Sequence, residues 1–331
     1  MTLLVGQADV PRLLPMRDCI EAMAGALAAL ARGEAVLPLR QIVHLPAGGF
    51  LGSMPAHLPH LGAFGIKALS VFHANEGTAF DSHQGAVLLF EAEHGRLLAI
   101  VDATSVTAIR TAAVSAVATR LLAREDACEL ALLGTGVQAR THLEAIRLVR
   151  PLRRVRVFSR DPAHVRAFAD RESRAHGIEV SAAASARDAV TGADIVCTLT
   201  SSCQPVVQGE WLAAGTHVNV VGAATPDCRE VDTSAMARAR LFVDRRESAL
   251  HEAGDVLIPL REGAIGEDHV QAELGELLIG GAAGRRSAVE VTLFKSLGLA
   301  IEDVAAAHVV HQNAERTGSG TRIDLGGVRH G

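Results

Sequence analysis

Aromatic side chains are scarce in these 331 residues: one Trp, no Tyr and nine Phe. A core must therefore be built from Ala, Val and Leu. The five cysteines, Cys19, Cys128, Cys197, Cys203 and Cys228, form no Cys-x-x-Cys pair, and no His stands at zinc-ligand spacing from two of them. That excludes the common zinc sites, and no metal is expected. An odd, scattered set points to reduced, buried thiols and a cytoplasmic protein. No apolar run approaches the ~20 residues of a membrane span. The first residues show no basic segment followed by an apolar stretch, so no signal peptide is expected. An excess of positive charge is missing too. A net charge of −5 gives no electrostatic reason to expect nucleic acid or an acidic membrane as partner. Internal repeats and low-complexity linkers are absent, and the length allows two domains.

What is present changes character along the chain. Pro15–Arg32 carries Met16, Ile20, Met23, Leu27 and Leu30 at helical spacing, with Gly33 as its stop. Strand-like runs follow at 41–45, 50–54, 62–71, 86–91 and 97–101, and 93–96 reads as a hairpin turn. This predicts an antiparallel meander. From 103 to 123 the composition is that of a long Ala-rich helix, with Asp102 or Thr104 as N-cap. Strands at 129–133, 155–158, 194–199, 217–221 and 241–243 then alternate with helices such as 163–176, which predicts a parallel sheet covered on both faces. A last helix at 296–316 lies beyond the alternation. The predicted fold class is α/β: a doubly wound Rossmann sheet over 120–295, and a discontinuous α+β substrate and dimerisation domain from 1–119 and 296–331. The tail from Thr317 is rich in Gly and polar residues and is expected to be mobile.

The most informative stretch is Leu133-Gly134-Thr135-Gly136-Val137-Gln138-Ala139. It follows an apolar strand and opens a helix, the context that Gly-x-Gly-x-x-Ala requires to bind a dinucleotide. Gly134 permits the tight turn, Gly136 lets the backbone approach a pyrophosphate, and Ala139 lets the helix pack close. The next strand ends in Phe158-Ser159-Arg160, with no carboxylate at its tip. An acid there selects NAD and an Arg accommodates the NADP phosphate, so NADP is favoured over NAD. The alternative is that Arg160 is solvated and Asp161 caps the next helix. On the substrate side, Arg110 in the Ala-rich helix can fork onto a carboxylate. Lys67, inside an apolar strand, must snorkel, pair or line a site. Arg40 and Met54 flank the early strands and are placed in the same pocket, each with a structural role as its alternative.

These residues carry a resemblance over nearly the whole chain. Gly65-Ile66-Lys67, Ser82-His83-Gln84, Thr107 to Ala113, Leu133 to Ala139, Gly192 to Val196, Gly215 to Ala223, Ala272 to Glu276 and Phe294 to Asp303 are similar, in order, to the ornithine cyclodeaminase/mu-crystallin family. The resemblance implies a nicotinamide dinucleotide, a small imino- or amino-acid substrate and a homodimer. It implies Arg40, Met54, Lys67, Arg110 and Ser296 on the substrate side, with Lys67 and Arg110 at the chemistry. It places Ser82, His83, Arg110, Thr111, Gly134, Thr135, Gly136, Val137, Gln138, Ser159, Arg160, Thr200, Val221, Gly222 and Ala223 at the cofactor. Cyclodeaminases resemble one another in a Gly-Gly-Asp whose Asp is their acid/base. Here Ala224 stands at that position, and Pro226-Asp227-Cys228-Arg229-Glu230 resembles the mu-crystallin, ketimine-reductase-like branch. The expected activity is NAD(P)H-dependent imine reduction or amino-acid dehydrogenation. The alternatives are ornithine cyclodeamination and nucleotide-dependent binding of a small ligand without turnover. The substrate side chain, the physiological direction and the proton donor stay open.

Overall fold

The computed structural model describes residues 1–46, 48–75 and 77–326, the side chain of His73 excepted. The chain divides into two units: Met1–Arg110 with Gly298–Gly331, and Thr111–Leu297.

In the first unit, strands β1 (Thr2–Val5), β2 (Gln41–His44), β3 (Phe50–Leu58), β4 (Ala63–Val71), β5 (His83–Glu91) and β6 (Leu97–Asp102) join a C-terminal strand Thr321–Ile323 in one sheet. The order is Thr321–Ile323, β1, β6, β5, β4, β3, β2. Among the described residues of this sheet, only the β1–β6 pair is parallel. Alternation along β3 and β4 sends every second side chain to a buried face. The helix Ala300–Thr317 packs on that face and against the helix Met16–Ala31. Gly65 makes the approach possible: a Cβ there would lie 3.2 Å from Val304 Cγ2. Lys67, two residues on, shares the face, opposite Met54 on β3 and Val87 on β5.

The second unit is an eight-stranded, wholly parallel sheet. Its strands are β7 (Glu129–Leu133), β8 (Arg154–Phe158), β9 (Glu179–Ala182), β10 (Ile195–Thr198), β11 (His217–Val220), β12 (Arg240–Val243), β13 (Val270–Glu273) and β14 (Thr292–Lys295). The order β13-β12-β14-β11-β10-β7-β8-β9 reverses direction between β7 and β10. The central strands are buried on both faces, as their unbroken apolar runs require. This is the doubly wound Rossmann arrangement, and its ligands lie outside the carboxyl ends of the strands where the order reverses. The helix Val137–Arg147 follows β7, and Pro162–His176 follows β8.

Three expectations change. The boundaries drawn at 119/120 and 295/296 fall at 110/111 and 297/298. The helix Ala103–Leu122, opened by Asp102 capping the Ser105 N–H at 2.8 Å, is shared. Arg110 pairs with Glu302 and Asp303, whereas Ser115 meets His142 and Thr119 meets Asn219. The cysteines are not all thiols. Loops following β10 and β11 bring Cys203 and Cys228 together as a disulfide, with Cα atoms 4.0 Å apart, while Cys19, Cys128 and Cys197 are free. The tail is partly ordered, since Thr321–Ile323 pairs with β1. Residues 327–331 of that tail lie outside the described residues. Among the described residues no helix is long and apolar enough to cross a membrane.

Candidate functional site

The turn after β7 has the backbone that a pyrophosphate needs. Gly134 has φ +120°, and a Cβ there would lie 2.6 Å from the Leu199 carbonyl oxygen, so only glycine fits between β7 and the end of β10. Gly136 is different. A Cβ on it would meet no atom within 4 Å, so the missing side chain leaves open space. Gly136 is also the N-cap of the helix Val137–Arg147 and offers no side-chain cap. The first-turn N–H groups and the positive end of the helix dipole are therefore available to an anion. Val137 is 56% exposed at this turn, and Gln138 Oε1 is buried with no hydrogen-bond partner. A buried orphan acceptor is costly unless a ligand completes it. The open space at Gly136, the uncapped helix and the Gln138 oxygen fit a dinucleotide. His142 braces the turn: it donates from Nδ1 to the Gln138 carbonyl at 2.7 Å and meets Ser115 Oγ at 2.9 Å.

Thr135 Oγ1 reaches Ser159 Oγ at 3.3 Å, linking the glycine turn to the tip of β8. Arg160 is exposed there. Asp161 is the N-cap of Pro162–His176, accepting from the Ala163 and His164 N–H groups. These bonds hold its carboxyl below the usual range.

The ends of β10 and β11 are held by an acid-base network that the sequence reading missed. Glu230 is fully buried. It accepts from Thr198 Oγ1, Thr200 N and Thr200 Oγ1 at 2.7 Å each, and from Gly222 N at 2.6 Å. Burial pushes its carboxyl up, against the pull of those donors and of Lys295. Asp255 takes the Glu230 and Val231 N–H groups and pairs with Lys295 at 3.0 Å, and Lys295 in turn donates to the Ala223 carbonyl. A Cβ on Gly222 would lie 2.1 Å from Thr200 O. Thr200, Val221, Gly222 and Ala223 are thus locked side by side, and Ser296 joins them through its N–H to Val220 O at 3.0 Å. Ala224 is exposed, and Asp227 is a solvated side chain 3.5 Å from Arg261. Neither supplies a buried acid.

In the first unit, three cations far apart in sequence converge on the segment 298–303. Lys67 Nζ lies 2.8 Å from Asp303 Oδ2. Arg110 bonds Asp303 through Nε and Glu302 through Nη1, each at 3.1 Å. Arg40 Nη2 donates to the Gly298 carbonyl at 3.0 Å. Gly298, with φ +78°, lies against the Arg110 guanidinium, where a Cβ would come within 2.4 Å of Nη1. Lys67, Arg110, Glu302 and Asp303 are all buried. Burial lowers Lys67 to about 8, with Asp303 opposing the shift and Arg110 adding to it. Met54, also buried, is the apolar neighbour of Lys67 across the β3–β4 register. Arg40, Met54, Lys67 and Arg110 are therefore one cluster. Its Arg110 fork is already engaged by two carboxylates, so any ligand carboxylate must share it. Ser82 and His83 are elsewhere, exposed at the start of β5 and bonded to each other at 3.0 Å. Thr111, buried, is the first residue of the second unit.

Glu302 and Asp303 were legible only as two adjacent acids in the apolar run from Leu297 to Val310. That pattern signals buried acids with partners, because a lone buried carboxylate is costly.

The model of the ornithine cyclodeaminase/mu-crystallin family matches residues 1–318. The chain is similar to ketimine reductase mu-crystallin of Mus musculus, with 41% identity over 282 residues that cover 85% of this chain and 86% of that one. Its structure is similar to that of Thermococcus litoralis Delta(1)-pyrroline-2-carboxylate reductase in complex with NADH and L-proline (TM-score 0.95, 38% identity, 97% of this chain and 100% of that chain). It is also similar to an archaeal alanine dehydrogenase dimer with bound NAD (TM-score 0.93, 33% identity, 98% and 99%).

Proposed function

This chain belongs to the ornithine cyclodeaminase/mu-crystallin family, and we propose that it reduces a small imino acid, cyclic or acyclic, to the corresponding amino acid with NAD(P)H. It is an NAD(P)-dependent oxidoreductase of C=N and CH–NH bonds. The observation that carries the substrate reading is the convergence of half-buried Arg40 and of buried Lys67 and Arg110 on residues 298–303. Three cations set against the two carboxylates of Glu302 and Asp303 leave one positive charge in excess, which favours an anionic ligand, and an arginine fork fixes the direction of a carboxylate as well as binding it. Arg110 and Arg40 hold the substrate carboxylate, Lys67 lies beside its nitrogen, and Met54 gives the side chain an uncharged wall.

The dinucleotide is held by the Gly134–Gln138 turn, by Ser159 and Arg160, and by the locked ends of β10 and β11 at Thr200 and Val221–Ala223. Thr111 completes this set. When bound, the nicotinamide supplies or takes the hydride. The protein orients the substrate, keeps water away from it and moves the proton. The Arg160 guanidinium takes the 2′-phosphate, because the nearby Asp161 carboxylate is committed to a helix cap; NADP is therefore the preferred cofactor.

Two copies assemble through the first unit. Its edge strand β2 is exposed along its length and carries Ile42 and Val43 on opposite faces, with Leu51 beside them on β3. An edge of this kind invites pairing. Sedimentation at micromolar concentration is expected to give twice the chain mass of 34.7 kDa.

The test of function is a screen of cyclic and acyclic imino acids with NADPH and NADH, followed at the nicotinamide absorbance. Net NADPH consumption is expected. Ammonia release from ornithine with no net cofactor turnover would make the protein a cyclodeaminase. Tight ligand binding with neither reaction would make it a binding protein.

A further inference from the structure

The Cys203–Cys228 disulfide ties together two loops of the second unit. Cys203 follows Thr200 in the loop after β10, and Cys228 follows Ala223 in the loop after β11. β10 and β11 are parallel neighbours, so both loops leave the sheet at its carboxyl edge, where a doubly wound fold takes its ligand. Thr200, Gly222 and Ala223, assigned above to the dinucleotide, are the roots of these loops.

The two loops are held unequally. Cys228 is anchored: its N–H and that of Gly254 both donate to the Thr225 carbonyl, at 3.3 and 3.1 Å, and Gly254 packs against the Cys228 carbonyl where no Cβ fits. The helix Gly254–Arg261 stands behind it. The loop 201–205 has only local support. Ser202 N donates to Thr200 Oγ1, and Ser202 Oγ donates to the Gln204 carbonyl. Among the described residues no hydrogen bond joins 201–205 to 223–227. Beyond the Glu230 carboxylate at the roots, the disulfide is what fastens the loose loop to the anchored one.

We propose that Cys203 and Cys228 form a reversible thiol–disulfide site, and that the disulfide tightens dinucleotide binding by holding 201–205 in place. The proposal rests on the dinucleotide reading given above. Cys203 is exposed, so a thiolate from solvent can reach its sulfur, and exposed disulfides are the exchangeable ones. A dithiol reductant attacks Cys203 Sγ. The Cys203–Cys228 bond breaks, and the Cys228 sulfur leaves with the bonding electron pair and takes a proton. The reductant's second thiol then displaces Cys203, which also leaves as a thiol. Two electrons and two protons pass to the protein, and the dithiol becomes a disulfide. The reverse reaction restores the bond. The other cysteines stand aside. Cys128 precedes β7, at the opposite edge of the sheet. Cys197 is buried within β10, and burial raises its thiol to about 12. Cys19 is buried as well, and burial raises it further still. Reduction frees 201–205, which must then be ordered again when the dinucleotide binds. Ordering costs affinity, and a bond that supplies it in advance restores that affinity. By reciprocity the bound dinucleotide favours the disulfide by the same factor.

The test equilibrates the whole protein with graded ratios of reduced and oxidised dithiothreitol, quenches in acid, and counts thiols by alkylation and mass spectrometry. Five thiols are expected in the reduced protein and three in the oxidised one, with Cys203 and Cys228 losing the label. NADPH and NADH are titrated against both forms by fluorescence. Reduction should raise each Kd by about 5-fold or more, the effect of one or two side chains left to be ordered on binding. Saturating NADPH should shift the dithiol ratio at half-reduction by the same factor. In Cys203→Ser the Kd should match that of the reduced wild type and ignore the reductant. Five thiols at every ratio would overturn the site. Equal Kd values in the two forms, or a reductant effect that persists in Cys203→Ser, would overturn the coupling. The reduced wild type carries no substitution, so its Kd decides the matter if Cys203→Ser does not fold. Failure of the dinucleotide reading is distinct: neither nucleotide would then bind to either form, and the coupling would fall with it.

Discussion

Arg110 Nη1 and Glu302 Oε2 lie 3.1 Å apart, and neither side chain is open to solvent. The same guanidinium bonds Asp303 through Nε, and Gly298 packs against it where no Cβ fits. Only a planar, forked cation serves both carboxylates at once. Arg110→Lys keeps the charge and loses one of the two bonds. A buried carboxylate stripped of its partner costs about 3–5 kcal/mol, which urea denaturation will detect. Misplacement of the substrate should lower kcat/KM by about 10²-fold or more. NADPH affinity should change much less. A Lys variant with unchanged kcat/KM removes Arg110 from the site.

Two glycines in one turn should respond differently. At Gly134 the φ of +120° and the 2.6 Å approach of a Cβ to Leu199 O make Gly134→Ala a folding defect, with a lower Tm and weaker cofactor binding together. At Gly136 the backbone is extended and a Cβ meets nothing, so Gly136→Ala should keep the wild-type Tm. Its methyl group then occupies the space assigned to the pyrophosphate. NADPH titration should show an affinity loss of roughly 10-fold or more, the effect of one or two lost charge-assisted bonds. Wild-type NADPH affinity in Gly136→Ala would show that the dinucleotide does not approach this backbone.

Cofactor choice rests on Arg160, because the only acid close to the β8 tip in sequence, Asp161, is occupied by the Ala163 and His164 N–H groups. Arg160→Ala should erase the preference for NADPH while leaving NADH affinity nearly unchanged. The ratio of the two dissociation constants is the measurement. A wild-type enzyme that binds NADH more tightly would show that this tip does not select the phosphate.

The second unit was the more legible in sequence. Strand 129–133 and the glycine turn after it carry local signals: an unbroken apolar run, two glycines at fixed spacing, then a helix. The short strands Glu179–Ala182, Val270–Glu273 and Thr292–Lys295 were missed, because each offers only two apolar residues and so no apolar run to read. In the first unit the meander was visible. β1 was not, since it pairs with β6 and with Thr321–Ile323, contacts made across almost the whole chain. The same reason hid half of the cation cluster. Arg40, Lys67 and Arg110 were suspicious one by one, but Asp303 acquires meaning only when its helix lies across β4. The Cys203–Cys228 pairing was hidden in turn, because it depends on two loops at the ends of adjacent strands.

Acid should weaken the second unit through two histidines that sequence reading left aside. His142 is fully buried between Ser115 and the Gln138 carbonyl, and burial lowers it to about 4. His217, sealed between Thr292 and Asn219, is lowered to about 3 by burial, with Arg285 adding to the shift. In the unfolded chain each takes up a proton near 6.5. Between pH 6.5 and 4 the unfolded state therefore binds more protons than the native state, and stability falls as pH falls. The loss is about 1.4 kcal/mol per pH unit for each histidine. Above 6.5 both forms are neutral and neither residue contributes a slope. Urea denaturation at pH 7, 6 and 5 should show this steepening. In His142→Asn, whose amide can replace the Nδ1–H bond to the Gln138 carbonyl, the slope should drop by one proton even if the absolute stability is lower. A slope in His142→Asn equal to that of the wild type would mean that His142 is charged in the native state, and that the hydrogen bonds bracing the glycine turn are arranged around an imidazolium.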